Sequence, residues 1–137
     1  MKINDLIECY RHKKSRTRYH LILVTKYRRK CITPDIKESF IAAFRECESK
    51  SNIRIYELNI DLDHIHLLLS FPPQYSISQT VNRLKQYTTN YIYIHHNSHI
   101  RKFYWRKKRA LWSDSYFIAT VGDVSEQIVS SYIKNQS

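Results

Sequence analysis

The chain has 137 residues, 42% of them apolar, with 23 Lys and Arg against 12 Asp and Glu and a formal net charge of +11. That length and apolar content suit one folded domain with a real core and exclude a disordered chain. The charge implies a strong positive surface field and a polyanionic partner, nucleic acid before an anionic membrane surface. No run approaches the roughly 20 apolar residues of a membrane span, and the N-terminus shows no signal-peptide pattern. Cys9, Cys31 and Cys47 are odd in number and form no CxxC pair. Reduced thiols in a cytoplasmic protein are therefore expected, not a disulfide framework or a cysteine zinc site.

Residues 1–16 carry a weak helical pattern and then Arg11, Lys13, Lys14 and Arg16, which reads as a basic arm of a single domain spanning 1–137. TRYHLILVTKY at 17–27 is rich in β-branched and aromatic residues and predicts a strand. Thr33-Pro34 has the form of a helix start, with Thr as N-cap and Pro at the first helical position. Ile36, Phe40, Ile41, Phe44 and Cys47 then recur at helical spacing to about residue 50. IRIYELNI at 53–60 and HIHLLLSF at 64–71 predict an antiparallel hairpin closed by Asp61-Leu62-Asp63. Ser76 and Gln79 have capping-box spacing and open a long helix whose buried face carries Ile77, Val81, Leu84 and Tyr91. Residues 95–109 are basic and aromatic without a clear period. SYFIATV at 115–121 is a fourth strand, and Gly122, the single glycine, breaks the chain. Asp123 and Glu126 then form a second capping box, opening a helix over 124–136. The order β-α-β-β-α-β-α predicts an α+β, ferredoxin-like or RRM-like antiparallel sheet with helices on one face, plus a C-terminal helix.

Three groups of residues could carry chemistry. His64 and His66 stand two apart in a strand, on one face with roughly 7 Å between Cα atoms, while Ile65, Leu67, Leu69 and Phe71 face the core. Two nitrogen ligands for a divalent ion fit that spacing, and so does a plain polar strand face. On the last helix, Ser125, Val129, Tyr132 and Gln136 share a stripe, which is equally the pattern of an amphipathic helix. Between Tyr91 and Arg109 cations alternate with aromatics. Cations neutralise phosphates and aromatic faces stack on unpaired bases, a combination that favours single-stranded or hairpin nucleic acid.

Asp63-His64-Ile65-His66 followed by three leucines, TKYRR at 25–29, LWSDSYF at 111–117 and VGDVSEQIVSSYIKNQ at 121–136 together resemble the TnpA-type transposases of bacterial and archaeal insertion sequences. These are HUH-superfamily enzymes with a single catalytic tyrosine, and the resemblance runs from about Tyr19 to Gln136. It implies that His64, His66 and Gln136 hold a divalent metal, Mg²⁺ or Mn²⁺, and that Tyr132 is the nucleophile. It implies cleavage and rejoining of single-stranded DNA with hairpin ends through a 5′-phosphotyrosine. It further implies a homodimer with active sites shared between subunits. Arg11, Lys14, Arg28, Arg29, Lys85 and Arg106 are the expected DNA contacts. Leu84-Lys85-Gln86 departs from many relatives, which have a small residue after the leucine and lysine. A noncatalytic RRM-like binder of single-stranded nucleic acid and a host-adopted relative acting on chromosomal repeats are the competing readings.

Overall fold

A computed structural model describes residues 17–121 and 126–135. Its strands are β1 (Arg18–Thr25), β2 (Arg54–Ile60), β3 (His64–Ser70) and β4 (Trp112–Thr120), and its helices are α1 (Lys37–Ser49), α2 (Ile77–His95), α3 (Asn97–Arg101) and α4 (Glu126–Asn135). The strands form one antiparallel sheet in the order β2-β3-β1-β4. This is the expected ferredoxin-like α+β arrangement, and β1 at its centre has a neighbour on each side. Among the described residues no helix is long and apolar enough to cross a membrane.

Strand alternation divides the chain between two faces. Leu21 and Leu23 of β1 and Ile65, Leu67 and Leu69 of β3 meet Phe40, Phe44 and Cys47 of α1 and Val81, Leu84 and Ile92 of α2 in the main core. Trp112, at the start of β4, packs its indole edge-on to Phe40 and donates from Nε1 to Thr88 Oγ1 at 2.9 Å. The opposite face of β1 offers Ile22 and Val24, and Val129, Tyr132 and Ile133 of α4 close over them with Phe117. The α1 and α2 helices thus share one face, and α4 covers part of the other.

Several boundaries differ from the sequence reading, each for a local reason. β1 stops at Thr25 because Tyr27 and Arg28 adopt φ of 59° and 52°, a left-handed turn that no strand can contain. α1 starts at Lys37, not Pro34: Thr33 bonds the Asp35 side chain, and the first turn is a separate one closed by Ile36 N–H to Thr33 O. The Ser76–Gln79 capping box is present in both directions. Ile77, in the first turn of α2, is exposed and Tyr91 only half-buried, while Thr80, Thr88 and Tyr93 are buried. β4 begins at Trp112, three residues early, because Trp112 pairs with Thr25 across an irregular step. The aperiodic stretch holds α3, too short to show a period. Gly122 and residues 1–16, with the expected DNA contacts Arg11 and Lys14, lie outside the described residues.

Candidate active site

His64 and His66 emerge from the face of β3 opposite the main core, as their alternation with Ile65 and Leu67 requires. Each ring is held by a different neighbour. His64 Nδ1 lies 2.8 Å from Asp63 Oδ1, and the other oxygen of that carboxylate accepts from Arg28 Nε at 2.9 Å. Burial pushes the Asp63 pKa up, but the bonds from His64 and Arg28 outweigh it, so the carboxyl stays below its usual range. Arg28 reaches Asp63 from the left-handed turn. Thr25 holds that turn by donating its hydroxyl to Arg29 O at 2.7 Å, and Tyr104 does so from Oη to Lys26 O at 2.6 Å. A histidine with Nδ1–H on a carboxylate keeps its Nε2 lone pair free, which is how metal-binding imidazoles are usually oriented.

His66 has a partner that the sequence did not suggest. Its Nε2 lies 3.0 Å from His20 Nδ1, with the ring centroids 5.2 Å apart and the ring planes 24° apart. Burial, and then His20 and His64, lower the His66 pKa against an opposing pull from Glu57, so His66 favours the neutral form that metals bind. The donor set therefore fits two ligands for a divalent ion. Among the described residues no third His, Cys, Asp or Glu joins them. Gln136, the expected third ligand, lies outside those residues.

Tyr132 lies on the same side of the sheet but over a different strand. Its ring packs on Phe117 of β4 with centroids 4.9 Å apart. Phe117 pairs with Ile22, and Ile22 with His66. Tyr132 therefore stands over the second strand from the histidines, roughly 10 Å away by strand spacing. Its hydroxyl oxygen is shut off from solvent and makes no hydrogen bond of good geometry among the described residues. Burial raises its pKa, and the nearby Ser115 side chain pulls the other way.

A groove of about 810 Å³ runs between α2, the turn after β1 and residues 104–114. Lys26, Lys85, Arg106 and Arg109 line it with Tyr27 and Trp105, which are 60% and 71% exposed. Arg29 sits within 4.6 Å of the Trp105 ring centroid and 4.9 Å of the Tyr27 centroid, and also bonds Phe103 O. Of the expected DNA contacts, Arg29, Lys85 and Arg106 converge here. Lys85 is partly committed, donating to Ser113 O at 2.8 Å, and burial lowers its pKa. Arg28 is turned away to Asp63.

A family model described as "Transposase IS200 like" matches residues 13–136. The chain belongs to this family of IS200-like transposases. The transposase is 33% identical over 126 residues to the "Transposase for insertion sequence element IS200" of Salmonella typhimurium, covering 91% of this chain and 80% of that protein. It is 27% identical over 118 residues to the ISDra2 transposase TnpA of Deinococcus radiodurans, covering 86% and 82% of the two chains. In three dimensions it matches a crystal structure of a candidate transposase from Deinococcus radiodurans R1 with a TM-score of 0.77 and 27% identity, over 88% and 91% of the chains. A REP-associated tyrosine transposase bound to a REP hairpin shares the fold, with a TM-score of 0.57 and 10% identity over 89% and 70%.

The transposase thus brings His64 and His66 together with Asp63, Arg28 and His20, and holds Tyr132 apart from them. The sequence reading gave Asp63, Arg28 and His20 no supporting role at the histidines, and it expected Arg28 as a DNA contact. Asp63 stood in the quoted motif as a turn residue. Arg28 stood in a basic run whose backbone turn could not be foreseen, and His20 lay in a strand whose register was unknown.

Proposed function

We propose that this transposase cleaves and rejoins single-stranded DNA, with Tyr132 as nucleophile and a divalent ion at His64 and His66. The observation carrying the reading is the His64 ring with Nδ1 on the Asp63 carboxylate, a setting that keeps the proton off Nε2, beside a second histidine that favours its neutral form. Bound there, Mg²⁺ or Mn²⁺ would polarise the scissile phosphate, and Gln136 would complete the protein ligands. The Tyr132 oxygen attacks phosphorus as the bond to the 3′ oxygen breaks. The phenol proton is lost and the departing oxygen gains one, leaving a 5′-phosphotyrosine and a free 3′-OH. A 3′-OH attacking in return restores the phenol and joins a strand with no added energy source.

The DNA-binding surface in this reading is the basic groove, where Tyr27 and Trp105 stack on unpaired bases and Arg106 and Arg109 face phosphates. A hairpin substrate is supported by the hairpin-bound neighbour that shares this fold. Because Tyr132 is docked two strands from the histidines, α4 must leave its present seat. In a homodimer it would deliver the tyrosine to the partner's histidines, giving active sites shared between subunits. The test is an SDS-gel assay with labelled hairpin-bearing single-stranded DNA from the ends of its own element. A protein–DNA adduct that needs Mn²⁺ and vanishes in Tyr132→Phe, with DNA binding retained, is expected. Binding without any adduct would leave only a nucleic-acid-binding protein.

A further inference from the structure

His20 stands on β1 opposite Leu68, whereas His64 stands opposite Val24 and His66 opposite Ile22. His20 and His64 therefore approach His66 from opposite ends of the strand. The His20–His66 centroid spacing of 5.2 Å exceeds the 3.0 Å nitrogen separation by about two ring radii, and the planes differ by 24°. The two nitrogens point at each other, with one proton between them. If His20 held that proton, the His66 Nε2 lone pair would be occupied and His66 Nδ1 would carry its other proton, leaving nothing for an ion. If His66 donates from Nε2, its Nδ1 lone pair stays free. His20 then does for His66 what Asp63 does for His64, through the opposite ring nitrogen.

We infer that His20 is a positioning residue for the metal site: it accepts the His66 Nε2–H and so fixes the tautomer and ring setting in which Nδ1 can bind a divalent ion. The inference rests on the metal reading of His64 and His66. Neighbours that fix a ligating imidazole typically change metal affinity about 10–100-fold when removed. Asparagine at position 20 places a carbonyl oxygen near the site of Nδ1 and preserves the acceptor, while alanine removes it.

The experiment titrates the full-length wild-type protein, His20→Ala, His20→Asn and His64→Ala with Mn²⁺ alone, following loss of the free-ion electron paramagnetic resonance signal. Wild type is expected to bind and His64→Ala to fail. His20→Ala should bind about 10–100-fold more weakly, with His20→Asn recovering most of the loss. If His64→Ala fails but His20→Ala binds as well as wild type or better, the metal reading stands and the role of His20 is overturned. Equal weakening in the alanine and asparagine variants also overturns it, since retained acceptor chemistry then makes no difference. A wild type that binds no Mn²⁺ overturns both.

Discussion

The Tyr132 ring rests on Phe117, 4.9 Å between centroids, and Phe117 is separated from His66 by the width of β1. The residue read as nucleophile is thus stored on an apolar seat made of Phe117, Ile22 and Val24, with its hydroxyl buried and without a well-formed hydrogen bond among the described residues. A seat of that kind holds α4 mainly by ring packing and leaves the hydroxyl a cost.

Replacing Tyr132 by Phe removes the cost and keeps the packing. Stability is expected to be unchanged or to rise by up to about 1 kcal/mol, a few degrees in Tm, although cleavage is lost. Thermal unfolding by circular dichroism reads this. A fall of more than about 1 kcal/mol would mean that the hydroxyl is well bonded in the docked state.

Asp63 is expected to matter through His64. Asp63→Asn removes the charge that holds the His64 Nδ1–H and leaves Arg28 without its partner. Mn²⁺ affinity should fall about 10–100-fold with the fold intact, and Arg28→Ala should act in the same direction more weakly. Calorimetric titration checks both; unaltered affinity in Asp63→Asn would show that His64 is oriented by something else.

If the groove is the proposed DNA-binding surface, stacking and charge should contribute to binding separately. Trp105→Ala is expected to weaken single-stranded DNA binding by about 1–3 kcal/mol, with little change in salt dependence. Arg106→Ala should lower the slope of log K against log salt by about 0.7–0.9 instead. Fluorescence anisotropy across a salt series separates the two, and identical behaviour of the variants would contradict the division.

The buried thiols set an alkaline limit. Burial pushes Cys47 up to about 11 and Cys31 up to about 12, whereas an unfolded thiol ionises near 8.5. Between those values the folded chain binds more protons than the unfolded one, so stability falls as pH rises above about 9. Denaturant midpoints from pH 7 to 11 should show the decline, and iodoacetamide at pH 8 should spare Cys31 and Cys47 until the protein unfolds. Rapid native labelling of either would contradict their burial.

What the sequence could show followed from local pattern. The period-two alternation around His64-Ile65-His66 put both histidines on one face, and the Ser76–Gln79 spacing located the start of α2. What it could not show depended on partners distant in sequence or on unusual backbone. His20 meets His66 only through the register of β1 on β3. Tyr27 and Arg28 turn left-handed without glycine, so no breaker announced the turn that brings Arg28 to Asp63. The stripe on α4 marked Tyr132 as facing something, but not that its seat would be Phe117.

Whether Tyr132 is the nucleophile is decided by finding the atom that carries the DNA. The covalent adduct would be trimmed with nuclease, digested with trypsin and sequenced by mass spectrometry. The peptide following Arg109 and ending at Lys134 contains both Tyr116 and Tyr132, so fragment ions discriminate between them. A nucleotide 5′-phosphate on Tyr132 is the expected result. The same mass on Tyr116, or on any other residue, would contradict the account.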